Sequence, residues 1–320
     1  MGIYIIAEAG FNHEGDLDLA LRMVEEAARC GADAIKFQSY RAAELAAEDS
    51  PHFKLIQKGE LSRSDHLALI KQAADCGIDF LSTPYDTQSV DLLDELGVKA
   101  FKIASMDVTN LPFLAHVAGK GKKVYLSTGM SLLSEIDRAV TALKEEGAPE
   151  IVLLHCISNY PAQPEELNLR CIKTLRQVWG LPVGYSDHSL GISSALAAVS
   201  LGAEVVEKHF TLDKTRPGAD HRISADPAEL SSLVKQAHDL VKALGTGNLG
   251  PERADRANAV QYRRGVYARR RIEPGEPLRM DMLKFIRPVE GLLPADVEFL
   301  LGRQAKQPIE KDSAIRPEMF

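Results

Sequence analysis

The chain has 320 residues, 45% of them hydrophobic and 26% charged, with a formal charge of −7 from 38 basic and 45 acidic side chains. These are the proportions of an ordinary globular protein, long enough to bury a sizeable core and to hold one large domain plus a small one. The acidic balance gives no overall pull toward nucleic acid or an anionic membrane, so an anionic substrate would need a local basic cluster.

The opening MGIYIIAEAG is too short and too lightly flanked for a signal peptide. No run reaches the ~18 apolar residues of a membrane span, so a cytoplasmic protein is expected. Cys30, Cys76, Cys156 and Cys171 form no C-x-x-C pair and read as reduced core residues.

Taken in chain order, short apolar runs alternate with segments of helical period. The runs are IYIIAEAG (3–10), ADAIKFQS (32–39), IDFLSTP (78–84), KAFKIAS (99–105), KKVYLSTG (122–129), EIVLLHC (150–156), PVGYSDH (182–188) and EVVEKHF (204–210). Between them lie amphipathic segments such as LDLALRMVEEAARCG (17–31) and LLSEIDRAVTALKEEG (132–147), each closed by a glycine. DPAELSSLVKQAHDLVKALG (226–245) follows the last run as an eighth helix. Strands buried on both faces read as continuous apolar runs, and eight βα units in this length predict a TIM (β/α)8 barrel. A doubly wound open sheet is disfavoured because no G-x-G-x-x-G follows the first run.

The barrel is expected over residues 1–247, followed by a charged linker with glycine and proline over 248–264. Residues 265–320 predict a small β-rich module with a turn at EPGE, too small for a large core of its own and expected to dock on a barrel.

In such a barrel the chemistry sits at the C-terminal ends of the strands. Those ends carry Glu8 with Asn12, His13 and Glu14, then Lys36 and Gln38, then Ser82, Thr83 and Tyr85, then Lys102, Ser105 and Asp107. The second half adds Ser127 and Thr128, then His155, Ser158 and Tyr160, then Ser186, Asp187 and His188, and finally Glu207, Lys208 and His209. Any one of these reads as a cap or a solvated group; eight strands ending this way make a polar ring.

Lys36 and Lys102 interrupt apolar strand patterns, where an unpaired ammonium is costly, so an anionic partner such as a phosphate or carboxylate is expected. A Schiff-base lysine is the competing use, and the residues alone leave both open. His188 and His209 end neighbouring strands and form a candidate pair of metal ligands with coordination positions left for water and substrate, Glu207 and Asp187 supporting them. In GYSDHS (184–189) strand alternation sends Ser186 and His188 to one side and Asp187 to the other, which argues against a serine triad.

The motifs AEAGFNHEGD, AIKFQS, FLSTPYD, FKIASMD, LSTGMS, LLHCISNYP, GYSDHS and VEKHFTLDKTRPGADH, followed by YARRRIEPGE and FIRPVEG, occur in this order over nearly the whole chain. In this the sequence resembles the sialic acid (N-acetylneuraminate) synthase family, a TIM barrel followed by an antifreeze-like (SAF) domain. The resemblance implies condensation of phosphoenolpyruvate with an N-acetylated aldose, with the help of Mn2+ or Mg2+. It further implies that Lys36, Thr83, Lys102, Ser105, Ser127 and Ser186 hold phosphoenolpyruvate and that His188 and His209 hold the metal. Glu8 matches a carboxylate beside the attacking enol and water, and Asp107 and Glu207 resemble active-site acids. Gln38, Tyr160 and Asp220 resemble sugar contacts, and Arg287 of FIRP is expected to reach the sugar of a partner subunit in a domain-swapped homodimer.

Some members have other residues at Tyr85, Ser158, Asp107 and Val289, and residues 40–62 form a shorter loop than in many of them. These departures lie on the sugar side, so N-acetylmannosamine and a diacetamido-trideoxyhexose both stand as acceptors. A barrel synthase using a phosphorylated sugar is disfavoured by the C-terminal module. A non-catalytic carbohydrate-binding relative is disfavoured by the intact set Glu8, Lys36, Lys102, His188 and His209.

Overall fold

The computed structural model describes residues 2–218, 220–250 and 253–320. It divides into two compact units, Met1–Gly245 and Thr246–Phe320. Pro251 and Glu252 of the expected linker lie outside the described residues.

The first unit is an eight-stranded parallel sheet in the order 3-2-1-8-7-6-5-4, with its two end strands side by side to close a barrel. The strands are β1 (Tyr4–Glu8), β2 (Ala34–Ser39), β3 (Asp79–Pro84), β4 (Ala100–Ile103), β5 (Lys123–Ser127), β6 (Ile151–Cys156), β7 (Val183–Asp187) and β8 (Val205–His209). A helix follows each strand: Leu17–Arg29, Arg63–Cys76, Thr87–Glu95, Leu111–Ala118, Leu133–Glu145, Cys171–Trp179, Ser193–Ser200 and Pro227–Leu244. Local sequence sets where several begin. Asp16 and Asp86 cap their helices through the side chain, and Ser62 with Asp65 and Asp226 with Glu229 form capping boxes.

Strand alternation divides the core in two. Ile5, Ala7, Ile35, Phe37, Phe101, Ile103, Leu153 and Val206 face outward and pack with the helices. Ile6, Ala34, Leu81, Ala100, Tyr125, Leu154 and Val205 fill the barrel itself. Gly184 belongs to that inner layer because there is no room for more: a Cβ there would lie 2.5 Å from the Val205 carbonyl oxygen and 2.6 Å from Leu154 Cδ2.

The loop after β2 carries two short helices, Ala42–Leu45 and Phe53–Lys58. Among the described residues no helix is long and apolar enough to cross a membrane.

The second unit pairs β9 (Gly265–Ala268) with β10 (Leu283–Ile286) antiparallel. Isolated bridges and 3-10 turns make up much of the rest of this small β-rich unit. It nevertheless has its own small core of Val266, Ile272, Leu278, Met282, Val297, Leu300 and Ile315.

Candidate active site

Continuing each inner column of the barrel toward the C-terminal end of its strand gives the site. Tyr4 and Ile6 lead to Glu8, Ala34 to Lys36 and Gln38, Leu81 to Thr83, Ala100 to Lys102, and Tyr125 to Ser127; Gly184 leads to Ser186 and His188, and Val205 to Glu207 and His209. These side chains line a cavity of about 780 Å³ together with Tyr85, Ser105, Cys156, Ser158, Tyr160 and Asp220. That volume suits a small ligand pair.

At its floor two ammonium groups meet two carboxylates, all buried. Lys36 Nζ lies 2.7 Å from Glu8 Oε2 and 3.7 Å from Glu207 Oε2, and Lys102 Nζ lies 3.3 Å from Glu207 Oε1. Lys36 also donates to Thr83 Oγ1 at 3.0 Å, and Ser186 Oγ donates to Glu207 Oε1 at 2.8 Å. The register explains the cluster: Glu8 is level with Lys36 on one side and His209 on the other, and Ser186 is level with Glu207.

The two carboxyls are pushed apart in acidity. Burial raises Glu8 to about 7, with Lys36 only partly offsetting it. Burial acts on Glu207 in the same sense, but Lys102 and Lys36, the Ser186 hydroxyl and His209 outweigh it and bring Glu207 down to about 2. One group can therefore exchange a proton near neutrality while the other stays an anion. Lys102 is lowered by burial, which Glu207 only partly reverses; Lys36 is raised, because Glu207 and Glu8 outweigh its burial.

Next to the lysines, Ser105 Oγ accepts from the Gly129 amide at 2.9 Å and lies 3.1 Å from Cys156 Sγ. Ser127 Oγ is buried and has no hydrogen-bond partner. Gly129 is required here, since a Cβ would sit 2.6 Å from Ser158 Oγ and 2.9 Å from both Cys156 Sγ and Ser105 Oγ.

His188 and His209 lie edge to face with ring centroids 5.4 Å apart, and Tyr160 covers His188 at 4.3 Å. His188 Nδ1 donates to the Ile157 carbonyl at 2.7 Å, which leaves the Nε2 lone pair free. His209 Nδ1 is buried without a hydrogen-bond partner, 3.7 Å from Asp220 Oδ2. Burial lowers both imidazoles, and His188 lowers His209 further, so both are neutral at physiological pH. The pair fits a borderline divalent cation with much of its coordination left to water and substrate. Among the described residues no group of three His, Cys, Asp or Glu side chains converges on a metal position.

Asp187 turns outward, as strand alternation requires. Its Oδ2 receives Lys208 Nζ at 3.0 Å, and its Oδ1 accepts from Tyr185, Ser189 Oγ and the Ser189 amide. Lys208 also donates to the Ser189 carbonyl, so one fully buried ion pair ties together the strands that carry the two histidines. His155 faces outward too and bonds the Leu167 carbonyl.

Two expected residues stand apart. Asp107 is buried in the 3-10 turn Ser105–Asp107, where it accepts from Asn110; it does not line the cavity, although its neighbour Met106 does. Arg287 belongs to the second unit, with its guanidinium 5.6 Å from the ring centre of Tyr262.

Sequence reading missed the outer walls. Phe11, Leu55, Ile56, Met106 and Met130 line them, and Glu14 bonds Arg216 at 2.8 Å and His221 at 3.1 Å from the loop after β8. Cys156, read as inert core, faces the cavity because it shares the inward parity of Leu154.

Comparison with known proteins supplies the context. A model of the NeuB family matches residues 23–249, and a model of the SAF domain matches residues 263–320. The chain is 43% identical to the N,N'-diacetyllegionaminic acid synthase of Campylobacter jejuni, over 98% of each chain. It is 35% identical to the N-acetylneuraminate-9-phosphate synthase of Homo sapiens, over 99% of this chain and 92% of that one. The crystal structure of the N-acetylneuraminic acid synthetase of Leptospira borgpetersenii in complex with citrate superposes with a TM-score of 0.78 at 42% identity, covering 81% of this chain and 90% of that one.

Proposed function

The chain belongs to the NeuB family of nonulosonic acid synthases and carries a C-terminal SAF domain, and from that premise we propose that it condenses phosphoenolpyruvate with an N-acetylated aldose, N-acetylmannosamine or a diacetamido-trideoxyhexose, to give a nonulosonic acid and inorganic phosphate. The observation that carries this reading is the pair of buried lysines held against Glu8 and Glu207 on the inner face of one barrel end. Two buried cations suit a substrate with both a carboxylate and a phosphate.

Lys36 and Lys102 neutralise those two anionic groups, Thr83, Ser105 and Ser127 add hydroxyl donors, and Ser186, whose proton goes to Glu207, lines the same floor. Glu207, fixed as an anion, positions both ammonium groups. The enol carbon C3 bonds to the aldehyde carbon of the open-chain sugar, whose oxygen takes a proton from the protonated form of Glu8, and C2 is left cationic. Water adds at C2, and the C2–O bond to phosphate then breaks with its electron pair leaving on phosphate, which takes the proton of the new C2 hydroxyl as that becomes the keto oxygen. Glu8, poised near neutrality, takes the proton that the water loses. Gln38, Tyr85, Ser158, Tyr160 and Asp220 surround the sugar; Gln38 Oε1 is buried without a donor and suits a sugar O–H or N–H. A divalent ion, Mn2+ or Mg2+, held by His188 and His209 would polarise the sugar carbonyl as a Lewis acid. Lysines ion-paired in this way have no Schiff base to form.

We also propose a homodimer in which the SAF unit of one copy covers the barrel of the other and brings Arg287 to the sugar. Exposed apolar side chains toward the cavity end, Met130 at 72% and Leu132 at 68%, support a cover of some kind. The enzyme would work in the cytoplasm, where its free cysteines stay reduced.

The test is phosphoenolpyruvate consumption with and without N-acetylated aldoses, before and after exhaustive chelation. Consumption should need both the sugar and a divalent ion. Undiminished turnover without the aldose would overturn the condensation, and undiminished turnover after chelation would overturn the metal role.

A further inference from the structure

The loop after β8 leaves its strand and returns to it. Phe210 and Ala225 form an isolated parallel bridge, the Ala225 amide donates to the His209 carbonyl at 2.7 Å, and the Thr211 amide donates to the Ala225 carbonyl at 3.0 Å. Residues 211–224 therefore form a loop with a closed neck, and that neck abuts the second histidine of the cavity.

Asn12, from the turn after β1, sits at the neck. Its side-chain amide donates to the Phe210 carbonyl at 2.8 Å, on the departing side, and to Ser224 Oγ at 2.9 Å, on the returning side. Both hydrogens of the amide are used in this way. Ser224 Oγ in turn donates to the Asp220 carbonyl at 2.6 Å, which also accepts from the Ile223 and Ser224 amides. Asn12 and Ser224 are 2% and 1% exposed, so water does not compete for these bonds.

What this chain of bonds places is the Asp220 carboxylate. It lines the cavity, with Oδ2 3.7 Å from His209 Nδ1. It also converges with Glu8 and Gln38 on Gly10, where a Cβ would lie 3.3 Å from Glu8 Oε1, 3.6 Å from Asp220 Oδ2 and 3.7 Å from Gln38 Nε2. Among the described residues no hydrogen bond reaches this carboxylate, so the backbone that carries it sets its place. Lys36, Lys102 and Ser127 stand on β2, β4 and β5, outside the reach of the neck.

Resting on the synthase reading above, we infer that Asn12 and Ser224 are positioning residues for the acceptor sugar: by closing the neck of the loop after β8 they hold Asp220 beside Glu8, Gln38 and His209. Ser224 does not line the cavity and acts through Asn12 and the Asp220 backbone alone. The phosphoenolpyruvate end of the site is left out of this control.

The experiment compares the wild type with Ser224→Ala, Asn12→Ala and the double variant. Steady-state kinetics are run in each substrate, with N-acetylmannosamine and the diacetamido-trideoxyhexose as aldoses, and hydrogen–deuterium exchange is followed over residues 220–225. Each single variant should raise KM for the aldose by about 10-fold and leave KM for phosphoenolpyruvate within about 2-fold, since a displaced group affects the substrate it meets. The double variant should stay within about 2-fold of Asn12→Ala, because the two residues act through one shared bond. Exchange over 220–225 should quicken while the helix Leu17–Arg29 exchanges as in the wild type. A parallel rise in both KM values would mark a general loosening and overturn the inference. An unchanged KM for the aldose, or a double variant whose loss is the product of the two singles, would overturn it too. If neither aldose supports turnover in the wild type, the synthase reading falls and exchange decides alone: faster exchange in both variants upholds the hold on Asp220, and unchanged exchange overturns it.

Discussion

Replacing Lys208 by methionine removes the only partner that Asp187 Oδ2 has among the described residues, in a pair with almost no exposure to solvent. Breaking a buried ion pair from one side costs about 3–5 kcal/mol, because the remaining charge is left uncompensated. Asp187 Oδ1 keeps its bonds from Tyr185 and Ser189, which places the carboxylate at the lower end of that range. The Ser189 carbonyl also loses its donor, worth roughly 1 kcal/mol, for a sum of about 4 kcal/mol. Adding Asp187→Asn removes the stranded charge, so the double variant should recover about 2 kcal/mol of the loss. Urea unfolding followed by fluorescence suits the measurement, because the chain has a single tryptophan. Trp179 ends the helix Cys171–Trp179 of the barrel, so the signal reports that unit alone. A single variant that costs under about 1 kcal/mol, or a double variant no more stable than the single, would refute this accounting.

The remaining predictions concern protonation, the anion site and the histidine pair. His13, buried and lowered to about 4, binds a proton more readily when unfolded, so its contribution is intact above about pH 6.5 and lost as pH falls toward 4. The loss amounts to about 3 kcal/mol. His13→Gln should flatten the acid slope of barrel stability relative to wild type in urea titrations at pH 7 and 4.5, and equal slopes would contradict it. Gly129→Ala should raise KM for phosphoenolpyruvate by about 10-fold or more, since its Cβ would force Ser105 and Ser158 from their positions; steady-state kinetics with an unchanged KM would show that those hydroxyls do not meet the substrate. His188→Ala and His209→Ala should each abolish turnover and weaken Mn2+ binding measured by electron paramagnetic resonance, with a normal circular dichroism spectrum. Near-wild-type ion affinity in both would remove the pair from the metal site.

How much of this was legible in the sequence follows from parity. Inside a strand, alternation alone sorts Lys36, Ser186, His188 and Glu207 toward the cavity and Asp187 and Lys208 away from it, and the structure agrees. The rule lapses where a strand ends. β4 stops at Ile103, and the 3-10 turn that follows swings Asp107 out of the lining while Met106 enters it. Leu55 and Ile56 were illegible for a different reason, since only the folding of a long loop over the barrel mouth places their short helix against the site. The bond from Arg216 to Glu14 joins residues 202 positions apart, and no local pattern announces such a partner. In the second unit the turns and short strands were readable as β-rich, but outside the β9–β10 ladder its backbone pairing comes as isolated bridges without periodic signal.

The first strand of the barrel lies between the second and the last. Glu8 is made early in synthesis and His209 late, yet they are lateral neighbours in one ladder, and Glu207 supplies the counter-charge for two lysines made well before it. A chain that has not yet emitted β8 therefore holds Lys102 without its carboxylate and Lys36 with Glu8 alone, a charge imbalance that is costly to bury. The inner end of the barrel cannot dehydrate until its final strand arrives. Closing the fold and completing the charge balance are then one event, and a truncated or nascent barrel is kept open by the same groups that give the finished one its chemistry.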